Sequence, residues 1–391
     1  MWCRIQRSTR STNRRALVSV QVVLTLSALV GFAALAVDVS MMYEARSCLQ
    51  RAADAAALAG ASGLTTDAMM AVRAGDDEYD ILVVISGRAA QYCASNNTLG
   101  APTFADPGDI VTGWVNLTSP ASSVATAGPA SAFNAVRVTA RREDDGTNGP
   151  VDFVFAPIFG KQHTDVLASS TAAFDDRLVG YRPPSGSGPL IPFTIDETVF
   201  VTEMATGGDG YGYDEDTGTV EVGGDGVREI NLYPHVTAAS GNFGLLNIGT
   251  PNHGTPALRD HIEDGVPAED LEIETGASEL TFYDEDGNPT TYYITGDPGL
   301  RATLESSVEE RVGDVVGYLL HDSVVPDLHG SNATYHITEI RFARVMAVEL
   351  HGGPSNRGIW LQPVSYAGSS VIVGPNAPSS GGVAGRIVLV R

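Results

Sequence analysis

The stretch ALVSVQVVLTLSALVGFAALAV, residues 16–37, runs without a charged side chain into DVSMMYEARSCLQRAADAAALAG, residues 38–60. A helix needs about 20 apolar residues to cross a hydrocarbon layer roughly 30 Å thick, so residues 16–37 read as a transmembrane helix. Residues 38–60 are rich in good helix formers, with Leu49, Ala53, Ala56 and Gly60 at i+3/i+4 spacing, and this predicts that the helix continues as an amphipathic rod. At 1.5 Å per residue the rod extends about 30 Å past the membrane. Ala52, Ala56 and Gly60 recur every four residues, which lets another backbone come close; a partner helix and the chain's own sheet are both open as occupants of that face.

Arg4, Arg7, Arg10, Arg14 and Arg15 precede the span with no acidic residue among them, whereas Asp38, Glu44 and Asp54 follow it. This asymmetry places the N-terminus in the cytoplasm and the bulk of the chain outside. A cleaved secretory signal is an alternative, but its apolar region is usually about 7–15 residues long and this run is longer and continues as helix. Arg14-Arg15 also matches the start of a twin-arginine export signal, yet the pair is more simply a set of topology charges.

The 391 residues leave room for two exported domains, and 43% hydrophobic residues with abundant glycine is ordinary globular composition carried by many turns. The net charge is −23; the five arginines of the first 37 residues leave −28 on the remainder. Such an acidic excess argues against nucleic acid and anionic lipid surfaces as partners. Three cysteines are too few for a disulfide scaffold, but Cys48 and Cys93 share the oxidising side and could tie the rod to the first domain.

The fold class expected is α+β: a membrane-spanning helix continuing into a long Ala-rich helix, then two β-rich exported domains with short helices. The boundaries are a cytoplasmic basic segment 1–15, the span 16–37, the Ala-rich helix 38–64, an α+β domain 65–182, a Pro/Gly/Ser linker 183–189 and a β-rich domain 190–391. Thr65-Thr66-Asp67 caps a short helix through Ala74, stopped by Gly75. Ser86–Ser95 reads as helix, and the run Ile81–Ile85, too short to settle its period, is taken as the start of it. Alternation predicts strands at Ala135–Ala140 and across Val151, Phe153 and Phe155. In the last domain Thr198–Met204 reads as a strand, and YDEDTGTVEV and LTFYDEDGNPTTYYIT read as hairpins. Thr255-Pro256 and Asp297-Pro298 each open a helix, closed by Gly265 and Gly313. Tyr335–Leu350 is the longest strand, with Ile340, Phe342, Met346, Val348 and Leu350 on one face and Arg344 as the exception; Arg386–Val390 is a short final strand.

Chemistry is sparse. There is no HExxH, no GxSxG elbow and no phosphate-binding Walker loop. His253 and His261 straddle a helix start, and GGDGYG at 207–212 carries Asp209 and precedes Asp214-Glu215-Asp216, which would repel phosphate. Those carboxylates, and Asp284, Glu285 and Asp286, are the only candidates for calcium, but Asp-Gly-Asn is first of all turn chemistry. Asn96, Asn116 and Asn332 begin Asn-x-Ser/Thr triplets of the kind expected by chance. No catalytic residue, metal site or cofactor is expected.

RRALVSVQVVLTLSALVGFAALAVDVSMMYEARSCLQRAADAAALAGASGL, residues 14–64, resembles the N-terminus of TadE/TadG-like proteins of the tight-adherence (Flp) pilus-assembly machinery. The likeness lies in the Arg pair, the run ending in Ala-Val-Asp, and Leu49-Gln50 followed by 52–60. A weaker likeness covers NAVRVTARR (134–142), FVFAPIFG (153–160) and TDVLASSTAAF (164–174). It implies a non-enzymatic, single-span protein of the bacterial inner membrane that assists assembly or anchoring of a tight-adherence pilus or a related secretion apparatus. Its partners are then the bilayer and other pilus-assembly or envelope proteins, and a small-molecule ligand is not expected. A pseudopilin-like filament subunit is an alternative, but Gly31 lies inside the run and Glu44 beyond it. A surface ligand-binding or hydrolytic domain on this anchor is another, and it requires a pocket with convergent polar groups. An integrin-like metal domain would need Asp-x-Ser-x-Ser, which the chain lacks.

Overall fold

The computed structural model describes residues 12–390 except 76–79, 119–122, 216, 233–241, 250–253, 300, 327–331, 352 and 354–355. Cys3, Arg4, Arg7, Arg10, Asp216 and His253 lie outside the described residues. Arg14 and Arg15 fall within the first helix, α1 (Thr12–Ser62), which runs unbroken because the stretch holds no proline and only Gly31 and Gly60 as weak points. It is followed by α2 (Asp67–Ala74), whose N-cap Thr66 accepts from the Met69 N–H and whose cap Gly75 takes a φ of 102°. Next comes α3 (Ile81–Ala94), so the ambiguous run 81–85 is helical. The remaining helices are short: α4 (Glu197–Thr206), α5 (Thr255–Glu263), α6 (Ala268–Thr275) and α7 (Glu305–Glu309). The chain is α+β, a long apolar N-terminal helix followed by a β-rich region with short helices.

Two compact units interleave along the chain. One holds the residues up to Ala56, Ala90–Ile110 and Val138–Ser170; the other holds Ala57–Ala89, Val111–Arg137 and Thr171 onward. The boundary expected at 183–189 is therefore not one. That segment is pinned inside the second unit: the Arg182 N–H donates to Ser370 O at 2.7 Å, Ser187 Oγ to Asp264 at 3.0 Å, and the Gly317 N–H to Pro189 O at 2.7 Å. Composition reports how little a segment can bury, not what its backbone pairs with.

In the second unit, the strands Leu190–Asp196, Phe243–Leu246, Tyr292–Pro298, Ala333–Glu349 and Val315–Pro326 pair in a closed ring, with Gly358–Pro363 and Ile230–Asn231 extending from the long strand. All these pairings are antiparallel except that of Leu190–Asp196 with Val315–Pro326. The ring has two cores. Leu190, Leu246, Leu319, Ile340 and Phe342 pack in one, and Ile191, Phe193, Leu245, Leu320 and Val345 in the other, as period-two alternation requires. The 17-residue strand Ala333–Glu349 is the longest, and its charged exception, Arg344, is accounted for: it pairs with Asp67 at 3.1 Å and lies over the Tyr213 ring.

Three local readings in the second unit change. Residues 198–204 form α4 and not a strand, because the Asp196 carboxylate accepts from the Thr198 and Val199 N–H groups and starts a helix; the strand is the preceding Leu190–Asp196. Asp297-Pro298 ends a strand, and only Ala302–Leu304 and α7 are helical after it. The 280–295 segment makes the expected tight turn, but its arms join different sheets: Leu280–Thr281 pairs with Leu178–Tyr181, and Tyr292–Pro298 with the long strand. YDEDTGTVEV is the expected hairpin.

Candidate functional site

Along α1 the surroundings of the side chains change abruptly. Val18, Leu29 and Phe32 are 58%, 60% and 71% exposed, whereas Ala45, Leu49, Ala52, Ala53 and Ala56 have no exposed surface. The change falls at Asp38, the first charged residue after the span, which is only 4% exposed. Its carboxylate accepts from Val154 N at 2.8 Å, from Phe155 N at 3.2 Å and from Ala156 N at 2.7 Å. Desolvation works to raise the Asp38 pKa, but the three N–H groups outweigh it and hold the carboxyl below its ordinary value. The sequence signal was a lone aspartate closing an apolar run; its distant partners could not be read from it.

Those partners replace the strand expected across Val151, Phe153 and Phe155. Only Val151–Asp152 is strand, paired with His163–Thr164, and between them the chain forms a loop with a short 3₁₀ turn, Ala156–Phe159, closed by Gly160 at a φ of 84°. Pro157 cannot donate to a ladder, and the Asp38 carboxylate takes the N–H groups that a strand would have used. Val154, Ile158 and Phe159 are left 56%, 79% and 82% exposed.

The small-residue face of α1 is buried as far as Gly60. A Cβ added at Gly60 would meet Val136 Cγ1 at 2.9 Å and Ala89 Cβ at 3.2 Å, so the end of the helix lies tight against a strand and α3. Gln50 Nε2 donates to Asp54 at 2.8 Å. Cys48 and Cys93 are buried free thiols and not a bridge; Cys48 Sγ accepts from Arg51 at 3.1 Å, and burial pushes the Cys93 thiol up to about 11.

The acidic clusters are used by the fold. Asp209 accepts from Asp225 N and Gly226 N, and Glu229, its pKa raised by burial, accepts from Gly210 N and Tyr211 N, so two N–H groups of the GGDGYG loop are already bound to a carboxylate. Glu215 pairs with Arg88 at 3.2 Å, and Asp284 closes its turn by accepting from Asp286 N and Asn288 N. His261 is buried against Asp270 at 2.7 Å. Among the described residues no three His, Cys, Asp or Glu side chains gather as a metal site.

The second unit contains a cavity of about 520 Å³ whose walls include Arg73, Arg228 and Arg341 beside Phe200, Tyr318 and Phe342. It was not legible in the sequence, since the arginines stand far apart in the chain. Each is engaged: Arg73 with Ser365 Oγ at 2.6 Å, Arg228 with Ala205 O, and Arg341 with Glu339 at 2.9 Å. Burial brings Arg73 down to about 10, which still leaves it charged at neutral pH.

Among the described residues one helix is long and apolar enough to cross a bilayer and exposed where it is most apolar, which defines a membrane-anchored protein with a β-rich body. Residues 18–63 match the Tad family model, described as Flp pilus-assembly TadE/G-like. The match covers the span and the rod and stops before α2. No curated protein and no solved structure matches the chain.

Proposed function

We propose that this is a single-span protein of the bacterial inner membrane, with its N-terminus cytoplasmic, that assists assembly or anchoring of a tight-adherence pilus without itself being an enzyme. The observation that carries the reading is coincidence: the family match over residues 18–63 covers the helix that passes from the span into the buried rod. The span and the rod are one continuous helix, α1, as suits a part that transmits position or load through an envelope apparatus. The arginines before Ala16 orient it, and its partners are the bilayer and other envelope proteins. Deleting the gene in its host should abolish surface pili, and a copy lacking residues 1–37 but carrying an exported signal should fail to restore them. Full piliation from the span-less copy would refute the anchoring role.

A second reading, an anchored ligand-binding domain, is favoured by the arginine-lined cavity. It predicts that short-chain carboxylates raise the melting temperature of the detergent-solubilised full chain and that Arg73→Gln removes the effect.

A further inference from the structure

The loop FVFAPIFGK, residues 153–161, joins five features. It is an apolar hairpin tip with Val154, Ile158 and Phe159 mostly exposed to solvent. It holds no acidic residue although the chain carries a net charge of −23. It ends in Lys161, the only lysine of the sequence, which is itself exposed. It is fastened by the N–H groups of Val154, Phe155 and Ala156 to Asp38, one residue beyond the apolar run 16–37. On the same unit Tyr43 and Leu167 are also exposed, at 72% and 58%.

We infer that this loop is a second membrane contact, a collar tip that inserts Ile158 and Phe159 into the outer boundary of the bilayer crossed by α1. The inference rests on the reading of residues 16–37 as a span. The headgroup zone on each side of the hydrocarbon is roughly 5–7 Å deep, the difference between the full and the apolar thickness of a bilayer shared over two faces. Asp38 stands at that level if the run before it fills the hydrocarbon. The 3₁₀ turn it holds, four residues at about 2 Å rise each, cannot carry Phe159 far from the same zone. Apolar side chains such as Phe bury into the boundary between headgroups and acyl chains, and a lysine beside them keeps its ammonium among the headgroups while its stem lies along apolar surface. The acidic excess of the body keeps the remainder off an anionic surface, so an uncharged tip with one cation is the part suited to touch lipid. Lipid, and not a partner protein, is the occupant because the tether places the tip where the helix leaves the bilayer.

The test uses the full chain in phosphatidylcholine vesicles. Phe159→Trp and, separately, Leu29→Trp are compared with the parent chain, whose Trp2, Trp114 and Trp360 set the baseline. The emission that Phe159→Trp adds should be blue-shifted, lost in lipids brominated near the headgroup end of the chain, and shielded from iodide; Leu29→Trp should be quenched by bromines near the chain middle. If Leu29→Trp is quenched but Phe159→Trp is not, the collar inference is overturned and the span stands, whether iodide reaches the tip (open water) or does not (a protein cover). If neither is quenched, the reading of 16–37 as a span fails and takes the collar with it.

Discussion

The two halves of α1 are built from apolar residues and end in opposite surroundings. Val18–Leu35 offers large branched side chains that stay about 60% exposed, while the second half offers Ala45, Ala52, Ala53, Ala56, Ala57 and Ala61, which are wholly covered. Large side chains suit a fluid solvent of acyl chains, which fills any shape around them. Small ones suit a rigid neighbour, because they bring backbones to within contact distance and leave no room to adjust. Asp38 marks the join, and its three hydrogen-bonded N–H partners hold the loop there.

The sharpest way to break this contrast is to charge the lipid half. Leu26→Arg with Leu29→Arg should cost about 5–7 kcal/mol of insertion on the biological scale and release the protein from membranes in alkaline carbonate. Retention in the pellet would mean that these residues do not face acyl chains. On the packed half, Ala56→Leu should overfill a closed site and destabilise the full chain in detergent by about 1–3 kcal/mol, read as a fall of several degrees in melting temperature. An unchanged melt, with loss of co-purifying proteins from membranes, would instead show that the face seats a partner helix.

Gly60→Ala tests the tightest point of that half. The added methyl meets Val136 and Ala89, a cost that a gain of roughly 1 kcal/mol in helix propensity partly offsets, so the net loss should be small, about 0–2 kcal/mol. A clearly stabilised variant would mean that the contact gives way freely. The smallest effect concerns the join. Since the folded Asp38 carboxyl titrates below its unfolded value of about 3.9, its contribution is complete above that value and is lost as pH falls through the lower folded one. Amide exchange at Val154, Phe155 and Ala156, corrected for intrinsic rates, should therefore show equal protection at neutral and mildly acidic pH and lose it only in strong acid. Deprotection already near pH 6 would remove Asp38 from the role.

Where a segment's state depends on its own residues, the sequence was a sufficient guide. The span and rod follow from the length of an uncharged run and the spacing of alanines; α2 follows from Thr66 and Gly75, α5 from Thr255-Pro256, and the long strand from its alternation. Each rests on periodicity or on a cap within four residues. The turn carboxylate at 284 was likewise readable as local chemistry, whereas Asp209 bonds to Asp225 and Gly226, sixteen and seventeen residues further on.

What the tertiary structure decided involves partners far along the chain. The strand expected across Val151, Phe153 and Phe155 stops at Asp152, and Val154–Ala156 form a loop because a carboxylate more than a hundred residues earlier claims their N–H groups. The Pro/Gly/Ser stretch 183–189 lies inside a unit because strands on both sides of it pair with later ones. The arginine-lined cavity forms where α2, α4 and the long strand meet. Backbone donors and acceptors must all be paired when buried, and a window of a few residues cannot say which distant group will pair them. Local periodicity therefore determined the anchor, while long-range hydrogen bonding decided what the anchor holds.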